Sequence, residues 1–342
     1  MMNNEDHFLL FSTCIPVKGH ESSLIMDLDK SEYLEIPNEL YDILTSDHFT
    51  HNIKKIKSLF NNDYDEGINQ YFQFLVDNHY GFYTSNPSPF QKLPLHFDSP
   101  HKIISSVVAI NKESKYDLTN VFQQLDKLDC QLLQIRIYDH IEMGEVIEAL
   151  KVLKKSSIRI IELYFPAFLK LSDEVLKKII VDFPRILITV YGAQESKKNS
   201  VLKNSSRVIR YTDQQLLYDS KEVYSTDLFT VSHEMYLEAV NYNAGLHRKV
   251  CIDHEGNIKN YVSHNTIFGN VKDNLIAEII QKEEFKEKYY LKNDIIEKCK
   301  DCQFRYMCLS NSDVEKKDEN YHKIDTCTYN PYKNTWDQSN TI

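Results

Sequence analysis

Glycine is scarce in this chain, at eight of 342 residues. None of the eight forms G-x-G-x-x-G or G-x-x-x-x-G-K-[ST], which argues against a phosphate cradle of glycine-rich backbone. Long apolar runs are missing too. The longest are about one strand in length, too short to cross a bilayer. The N-terminus, MMNNEDHFLLFSTCIPV, has neither the basic region nor the apolar run of a signal peptide. The expectation is a cytoplasmic protein with no membrane partner. Positive charge is in deficit, with a formal net charge of −10. A general nucleic-acid binder needs a basic face to displace counterions, so nucleic acid is not expected as a partner; a local basic groove remains compatible with the total. No H-E-x-x-H or G-x-S-x-G occurs, and His233-Glu234 lies in Ser-His-Glu-Met.

What is present suits a packed protein. Hydrophobic residues make up 42% and aromatics 12%, enough for a core. The length suits two or three domains. The patterning separates three blocks of an α/β multidomain chain.

In the first block, residues 1–85, Phe8–Val17, Leu24–Leu28 and Tyr33–Ile36 read as short strands. Leu40, Ile43 and Leu44 then share one helical face. Ile53, Ile56, Leu59 and Phe60 share a second, and Ile68, Tyr71, Phe72 and Leu75 a third. Three strands followed by three helices is the plan of a small winged helix. Prolines at 87, 89 and 94 mark a linker.

The second block, 95–240, repeats. Ile103–Ile110, Gln131–Tyr138, Ile158–Phe165 and Arg185–Tyr191 are apolar, β-branched runs starting about 27–28 residues apart, with amphipathic stretches between. That period predicts consecutive βα units on a parallel sheet. Weaker strands are expected at Val208–Tyr211 and Leu228–Val231. The count suits a partial (βα) barrel or an open sheet. In the third block, 241–342, a hairpin is expected about His254-Glu255-Gly256-Asn257, a second tight turn at Phe268–Val271 and a helix at Asp273–Glu287.

Four of the seven cysteines then cluster as Cys299-x2-Cys302-x5-Cys308, with Cys327 about 19 residues on. In a reducing compartment such spacing reads as metal ligation, not as a disulfide framework. A C-x-x-C loop offers two sulfurs to one metal or one cluster edge, and the longer gaps let a third and fourth close the site. Spacing alone leaves zinc and an iron–sulfur cluster both open. Phe304 and Met307 are expected to pack beneath the loop. Cys14, Cys130 and Cys251 lie in apolar strands and read as small buried hydrophobes.

The run Cys-Lys-Asp-Cys-Gln-Phe-Arg-Tyr-Met-Cys, with Tyr321-His322-Lys323 and Cys327-Thr328-Tyr329-Asn330-Pro331-Tyr332 after it, resembles the C-terminal SPASM domain of peptide-modifying radical SAM enzymes. His247–Asp253, Gly256–Asn260 and Phe268-Gly269-Asn270 resemble its entry hairpin. Over residues 243–336 the chain is similar to the SPASM-domain peptide maturases of grasp-with-SPASM systems, in which an ATP-grasp ligase crosslinks a ribosomally made precursor. The resemblance implies a 4Fe–4S cluster on Cys299, Cys302, Cys308 and Cys327. It implies that the other auxiliary cluster of a complete SPASM domain is missing, since Ser312 and Tyr261 stand near two expected ligand positions and Cys251 could not hold it alone. Radical SAM chemistry also needs C-x3-C-x2-C, and no such run exists here; after Val107–Ile110 the chain reads Asn-Lys-Glu-Ser-Lys-Tyr-Asp. The implied middle block is a degenerate radical-SAM-like barrel, with no S-adenosylmethionine expected.

His20, His51 and His101 read as surface residues. Glu145 and Glu148 with Lys151, Lys154 and Lys155 read as a solvated helix face. The expected role is a maturation partner in graspetide biosynthesis. It would bind the precursor and assist the ligase, with leader recognition in the first block by strand addition beside the third helix, where Tyr71, Phe74 and Leu75 could line a groove. The alternatives are an enzyme acting on the peptide by chemistry with no sequence signature and a zinc-stabilised interaction protein.

Overall fold

A computed structural model describes residues 7–45, 52–200, 208–216 and 229–337. The first expected strand is two: β1 (His7–Leu10) and β2 (Cys14–Val17). Cys14 N–H donates to the Phe11 carbonyl at 2.9 Å, closing a tight turn between them. β2, β3 (Ser23–Asp27) and β4 (Glu32–Ile36) form an antiparallel meander. Helices α1 (Asn38–Thr45), α2 (Ile53–Leu59) and α3 (Asp65–Asp77) follow, and β5 (Gly81–Thr84) returns to pair with β1. Phe8 stacks on Phe72 at 4.6 Å, joining that ribbon to α3. Tyr71 and Leu59, placed on buried faces by the helical pattern, are exposed.

All five residues of β3 are buried. Ile25 joins the core of α1–α3, while Leu24 and Met26 on the opposite face join Phe304, Met307 and Tyr329 of the third block. Alternate side chains of one strand therefore enter two cores. The first block has one core of its own, built on α1–α3, and shares a second with the third block, so packing continues across the proline-marked break near residue 85. The linker is likewise held down. Asn241 donates to the Leu95 carbonyl at 2.7 Å, and Arg248 to the carbonyls of Ser99 and His101 at 2.8 and 2.7 Å.

The βα block is as the period predicts. Its elements are β6 (Ser105–Ile110), α4 (Leu118–Lys127), β7 (Leu132–Ile137), α5 (Met143–Leu153), β8 (Ile160–Pro166), α6 (Asp173–Asp182) and β9 (Ile186–Tyr191). Asp117 caps α4 by accepting from Asn120 N–H at 3.1 Å, a local reason for the helix to start there. A short strand not anticipated from the sequence, β10 (Lys197–Ser200), pairs antiparallel with β11 (Val208–Tyr211), which lies parallel to β9.

The third block supplies α7 (His233–Asn241) and the hairpin β12 (Lys249–Ile252) and β13 (Asn257–Lys259), turned at Gly256 with φ +89°. The two-residue β14 (Gly269–Asn270) pairs with β13. The hairpin does not stand apart from the second block: β12 is parallel to β6, with Cys251 opposite Val107. The result is one open nine-stranded sheet in the order β10-β11-β9-β8-β7-β6-β12-β13-β14. Its helix-covered face is a single apolar core with α4–α6, including Val108, Ile135, Leu163 and Ile188.

Two expectations are corrected. The helix at Asp273–Glu287 is two short pieces, α8 (Ile276–Ile279) and α9 (Glu283–Lys286). Lys282 between them is extended and breaks the helical run, and the Phe285 carbonyl beyond it accepts from Asn260 at 3.0 Å. The strand at Leu228–Val231 begins outside the described residues, and Phe229 makes only an isolated bridge to Cys308. The chain closes with hairpins β15 (Val314–Lys317)–β16 (Asn320–Lys323) and β17 (Tyr329–Asn330)–β18 (Thr335–Trp336).

One buried pair joins these parts. His247 Nδ1 lies 2.8 Å from Glu238 Oε1 of α7, both nearly inaccessible. The imidazole stacks on Tyr242 at 3.8 Å, with Phe97 and Tyr289 at its edges. Burial pushes the Glu238 carboxyl up to about 8 and His247 down to about 3, so the pair holds one proton on the carboxyl at neutrality. Unfolded, the ordinary values are 4.5 and 6.5. Between about pH 6.5 and 8 the folded state binds a proton that the unfolded state has lost, so stability falls as pH rises. Below about 4.5 the unfolded state binds two protons against one, so stability falls as pH falls. Denaturant titrations should show a loss on the order of 2 kcal/mol from pH 6.5 to 8, and Glu238→Gln should flatten that limb.

A second expectation concerns Phe304, which is 3% exposed at the junction of the first and third blocks. Phe304→Ala should cost about 3–5 kcal/mol, read as a lower denaturation midpoint; a shift within 1 kcal/mol would show that the two blocks do not depend on this contact.

Candidate metal centre

The segment Cys299–Cys308 is a loop of consecutive turns. Cys302 N–H donates to the Cys299 carbonyl at 3.0 Å, Arg305 N–H to that of Cys302 at 3.3 Å, and Met307 N–H to that of Phe304 at 3.1 Å. Phe304 and Met307 are buried beneath it, as the sequence predicts. Phe304 meets four rings: Tyr33 of β4 at 5.7 Å, Phe229 at 4.9 Å, Tyr329 at 5.0 Å and Trp336 at 6.3 Å. The loop is thus shaped around an aromatic plug.

Three further contacts fix it. Arg305 donates to the carbonyls of Cys302, at 2.9 Å, and of Lys18 in the turn after β2, and its Nε pairs with Asp294 at 3.2 Å. Gln303 donates to the Tyr329 hydroxyl at 2.5 Å and to Asn334 at 3.0 Å. Lys298 Nζ donates to the Cys327 carbonyl at 2.9 Å, drawing the distant fourth cysteine to the loop. On the far side, Cys308 bridges to Phe229, and Thr230 N–H donates to the Met307 carbonyl at 3.1 Å.

These contacts bring the four sequence-predicted cysteines into one neighbourhood. Cys308, Cys299 and Cys327 all act electrostatically on the Cys302 thiol. All four are half-buried and none is in a disulfide, whereas Cys14, Cys130 and Cys251 are fully buried, as expected of small hydrophobes. Among the described residues no group of three or more His, Cys, Asp and Glu side chains is drawn together tightly enough to grip one metal ion. Burial pushes the Cys299 and Cys302 thiols up and Cys308 up to about 11. Three contacts act against that push. Backbone N–H groups of Phe304 and Ser310 point to the sulfurs of Cys302 and Cys308, and Lys323 bonds to that of Cys299. Four reduced thiols, three of them with an N–H group or a lysine at the sulfur, fit a thiolate-ligated centre, whose cationic metal would offset the cost of ionising buried sulfur.

The two positions expected near the other cluster hold other contacts. Ser312 is buried and accepts from Asp325 N–H at 2.9 Å. Tyr261 is buried and accepts from Arg136 at 2.8 Å. His20 is exposed, but His101 is only half-exposed because its ring bonds to the Asp129 carbonyl at 2.9 Å. His51 lies outside the described residues. Glu145, Glu148, Lys151, Lys154 and Lys155 are exposed along α5 and its end, as a solvated face should be. Sequence reasoning missed Arg305 and Gln303 as positioning residues. Their motif neighbours were legible, but their partners, Lys18 and Tyr329, are set by the tertiary fold.

Residues 247–303 match the model of SPASM, an iron–sulfur cluster-binding domain. The match spans Cys251, Cys299 and Cys302 and ends before Cys308. The chain is also similar to the crystal structure of Streptococcus suis SuiB bound to S-adenosylmethionine, with 10% sequence identity, coverage of 88% of this chain and 94% of that chain, and a TM-score of 0.31. A TM-score that low does not establish a shared fold. No curated protein matches the chain. Among the described residues no helix is long and apolar enough to cross a membrane.

Anaerobically purified protein should be brown, absorb near ~400 nm and hold about four irons. Cys302→Ser should lose that iron and the stability of the loop, while Cys130→Ser keeps both. Colourless protein with stoichiometric zinc would leave the four thiolates in place and reject iron; equal metal loss in the two variants would reject the ligands.

Proposed function

We propose that this protein is a maturation partner for a ribosomally made peptide, carrying one 4Fe–4S cluster on Cys299, Cys302, Cys308 and Cys327 and presenting the precursor to an ATP-grasp ligase. The observation that carries the reading is the four-thiol neighbourhood in a segment that continues directly from a SPASM match. A bound cluster would supply metal–thiolate crosslinks between the Cys299–Cys308 loop and Cys327, and with them folding energy for a segment of short hairpins and turns. The protein's own residues set how the loop faces its neighbours. Arg305 ties it to the first block through the Lys18 carbonyl, and Lys298 ties it to Cys327.

The middle block would then serve as a degenerate radical-SAM-like barrel, and the first block as a winged-helix-like unit that takes up the leader peptide. The place for that peptide is not beside α3: Leu75 is fully buried, and Tyr71 and Phe74 stand exposed outside any groove described. A cavity of about 990 Å³ lies instead where β1 and β2 face the proline linker, lined by Leu9, Phe11, Ile15, Phe82 and Phe90 among others. Among the described residues β2 pairs with β3, and β1 with β5 apart from an isolated bridge from His7 to Asn52, so the remainder of each outer edge is one that a peptide strand can extend. Micromolar affinity, about −8 kcal/mol, suits a disordered peptide that orders on binding.

The test uses the full chain, since the first block shares a core with the third. Precursor, ligase and ATP should give crosslinked peptide faster with this protein than without it. Phe11→Ser, which removes an exposed ring from the wall of this cavity, should weaken precursor binding at least tenfold with the folded signal unchanged. Crosslinking equal with and without the protein, together with no precursor binding, would end this reading.

A further inference from the structure

β2 is the outermost strand of its meander. Leu28 N–H donates to the Thr13 carbonyl at 3.0 Å, so the backbone at Thr13 faces β3. Backbone groups alternate in direction along a strand. Ile15 and Val17 therefore face β3 as well, and Cys14 and Pro16 face the outer edge. The Cys14 N–H is spent on the Phe11 carbonyl at 2.9 Å, and Pro16 has none. From residue 14 to residue 16 this edge offers two carbonyls and no donor. An edge proline deters chance pairing between chains, but it leaves its own carbonyl free to accept.

The space beside that edge is walled by two cores. Cys14 and Ile25 belong to the core of α1–α3, on one face of the meander. Val17, Leu24 and Met26, with Ile15 packed against them, belong to the core shared with the third block, on the other face. Leu44 of α1 comes from the first core, and Leu93 of the linker and Tyr236 of α7 from the second. All three line the cavity of about 990 Å³ together with Cys14, Ile15 and Pro16. Phe11, Phe82 and Phe90 add a row of rings, with centroids 5.3 and 4.7 Å apart. Among the described residues Lys92 is the one charged member of the lining. A strand seated against β2 would thus be covered on both of its faces. Strands covered on both faces carry continuous apolar runs, whereas a strand with one wet face alternates.

We propose that this slot takes an extended peptide segment of consecutive uncharged apolar residues, whose alternate N–H groups donate to the Cys14 and Pro16 carbonyls. Those carbonyls are two residues apart, ~6.8 Å at ~3.4 Å per residue. Alternate N–H groups of an extended peptide have the same spacing, so a run of three residues meets both. An acyl chain would suit the apolar walls but leave the two carbonyls without a donor. This deepens the proposed function by naming the segment the precursor must carry, and it rests on that reading only for the peptide's origin.

The test is a calorimetric titration of the full-length protein with end-blocked pentapeptides. Ser-Leu-Val-Leu-Ser should bind at least tenfold more tightly than Leu-Ser-Val-Ser-Leu, which has the same composition in an alternating order. Two ester analogues of the first peptide separate the donors without adding bulk. One replaces the N–H groups of both leucines by oxygen, the other those of both serines and the valine. One of the two should lose at least tenfold in affinity and the other should stay within about threefold of the parent. Leu95→Asp, at an exposed position on the wall, should weaken binding at least tenfold with the denaturation midpoint unchanged. Equal binding of the two isomers, equal effects of the two ester analogues, or displacement of the peptide by an equal concentration of dodecanoate would overturn the assignment. If precursor binds and speeds crosslinking while the two isomers bind alike, this inference fails and the maturation reading stands. If the apolar-run peptide binds as expected while precursor neither binds nor is crosslinked faster, the reverse holds.

Discussion

The packing of Phe304 against four rings is the contact on which the rest of this structure depends. Tyr33 comes from the first block, Phe229 from the segment before α7, and Tyr329 and Trp336 from the closing hairpin. Without that plug the Cys299–Cys308 loop keeps only its turns and the polar contacts of Lys298, Gln303 and Arg305. With it, the loop is a surface on which the N-terminal meander sits, and Leu24 and Met26 complete the same core. The burial of one aromatic side chain therefore couples the candidate metal centre to the block in which the peptide is proposed to dock.

The coupling has a geometric corollary. β3 is a two-sided strand, with Ile25 in one core and Leu24 and Met26 in another. The large sheet is two-sided in a different sense: its helix face is closed and apolar, and its other face is lined by Gln134, Arg136, Glu162 and Tyr164. Strand alternation alone produces both situations. What differs is whether a second apolar layer arrives to cover the second face. For β3 the cysteine loop does so; on the large sheet a smaller cluster of Leu246, Tyr261 and Val262 covers Val107, Ala109 and Cys251, and the polar residues of β7 and β8 lie beside it. The polar residues there hold one another in a network that stabilises the side chains.

Gly245 shows how closely the third block is built against the hairpin that feeds the sheet. A Cβ at that position would lie 1.8 Å from the Ser310 carbonyl oxygen, so backbone meets backbone just beyond Cys308. With the Glu238–His247 pair above it, this contact makes the entry to β12 one unit with the candidate metal centre. The division at residue 241 marks a change of sequence pattern at a place where the physical structure is continuous.

Much of this was legible in the sequence because it depends on local rules. The three βα units and the strand β9 after them follow from apolar runs at a constant period, α4 from its Asp117 cap, the hairpin from Gly256, and the thiol neighbourhood from a C-x-x-C spacing that no apolar core requires. The burial of Cys14, Cys130 and Cys251 followed from their apolar strands. The remainder was decided by residues far apart in the chain. Periodicity put Tyr71 on a buried face, but no layer covers it among the described residues, and a continuous helix at Asp273–Glu287 is interrupted where Lys282 turns extended. The pairing of β12 with β6 and the seating of Lys18 on Arg305 are likewise contacts across more than 70 residues. A sequence determines which side chains share a face, because that is set by backbone period; which faces meet, and which stay open, is decided only when the whole chain competes for the same apolar surface.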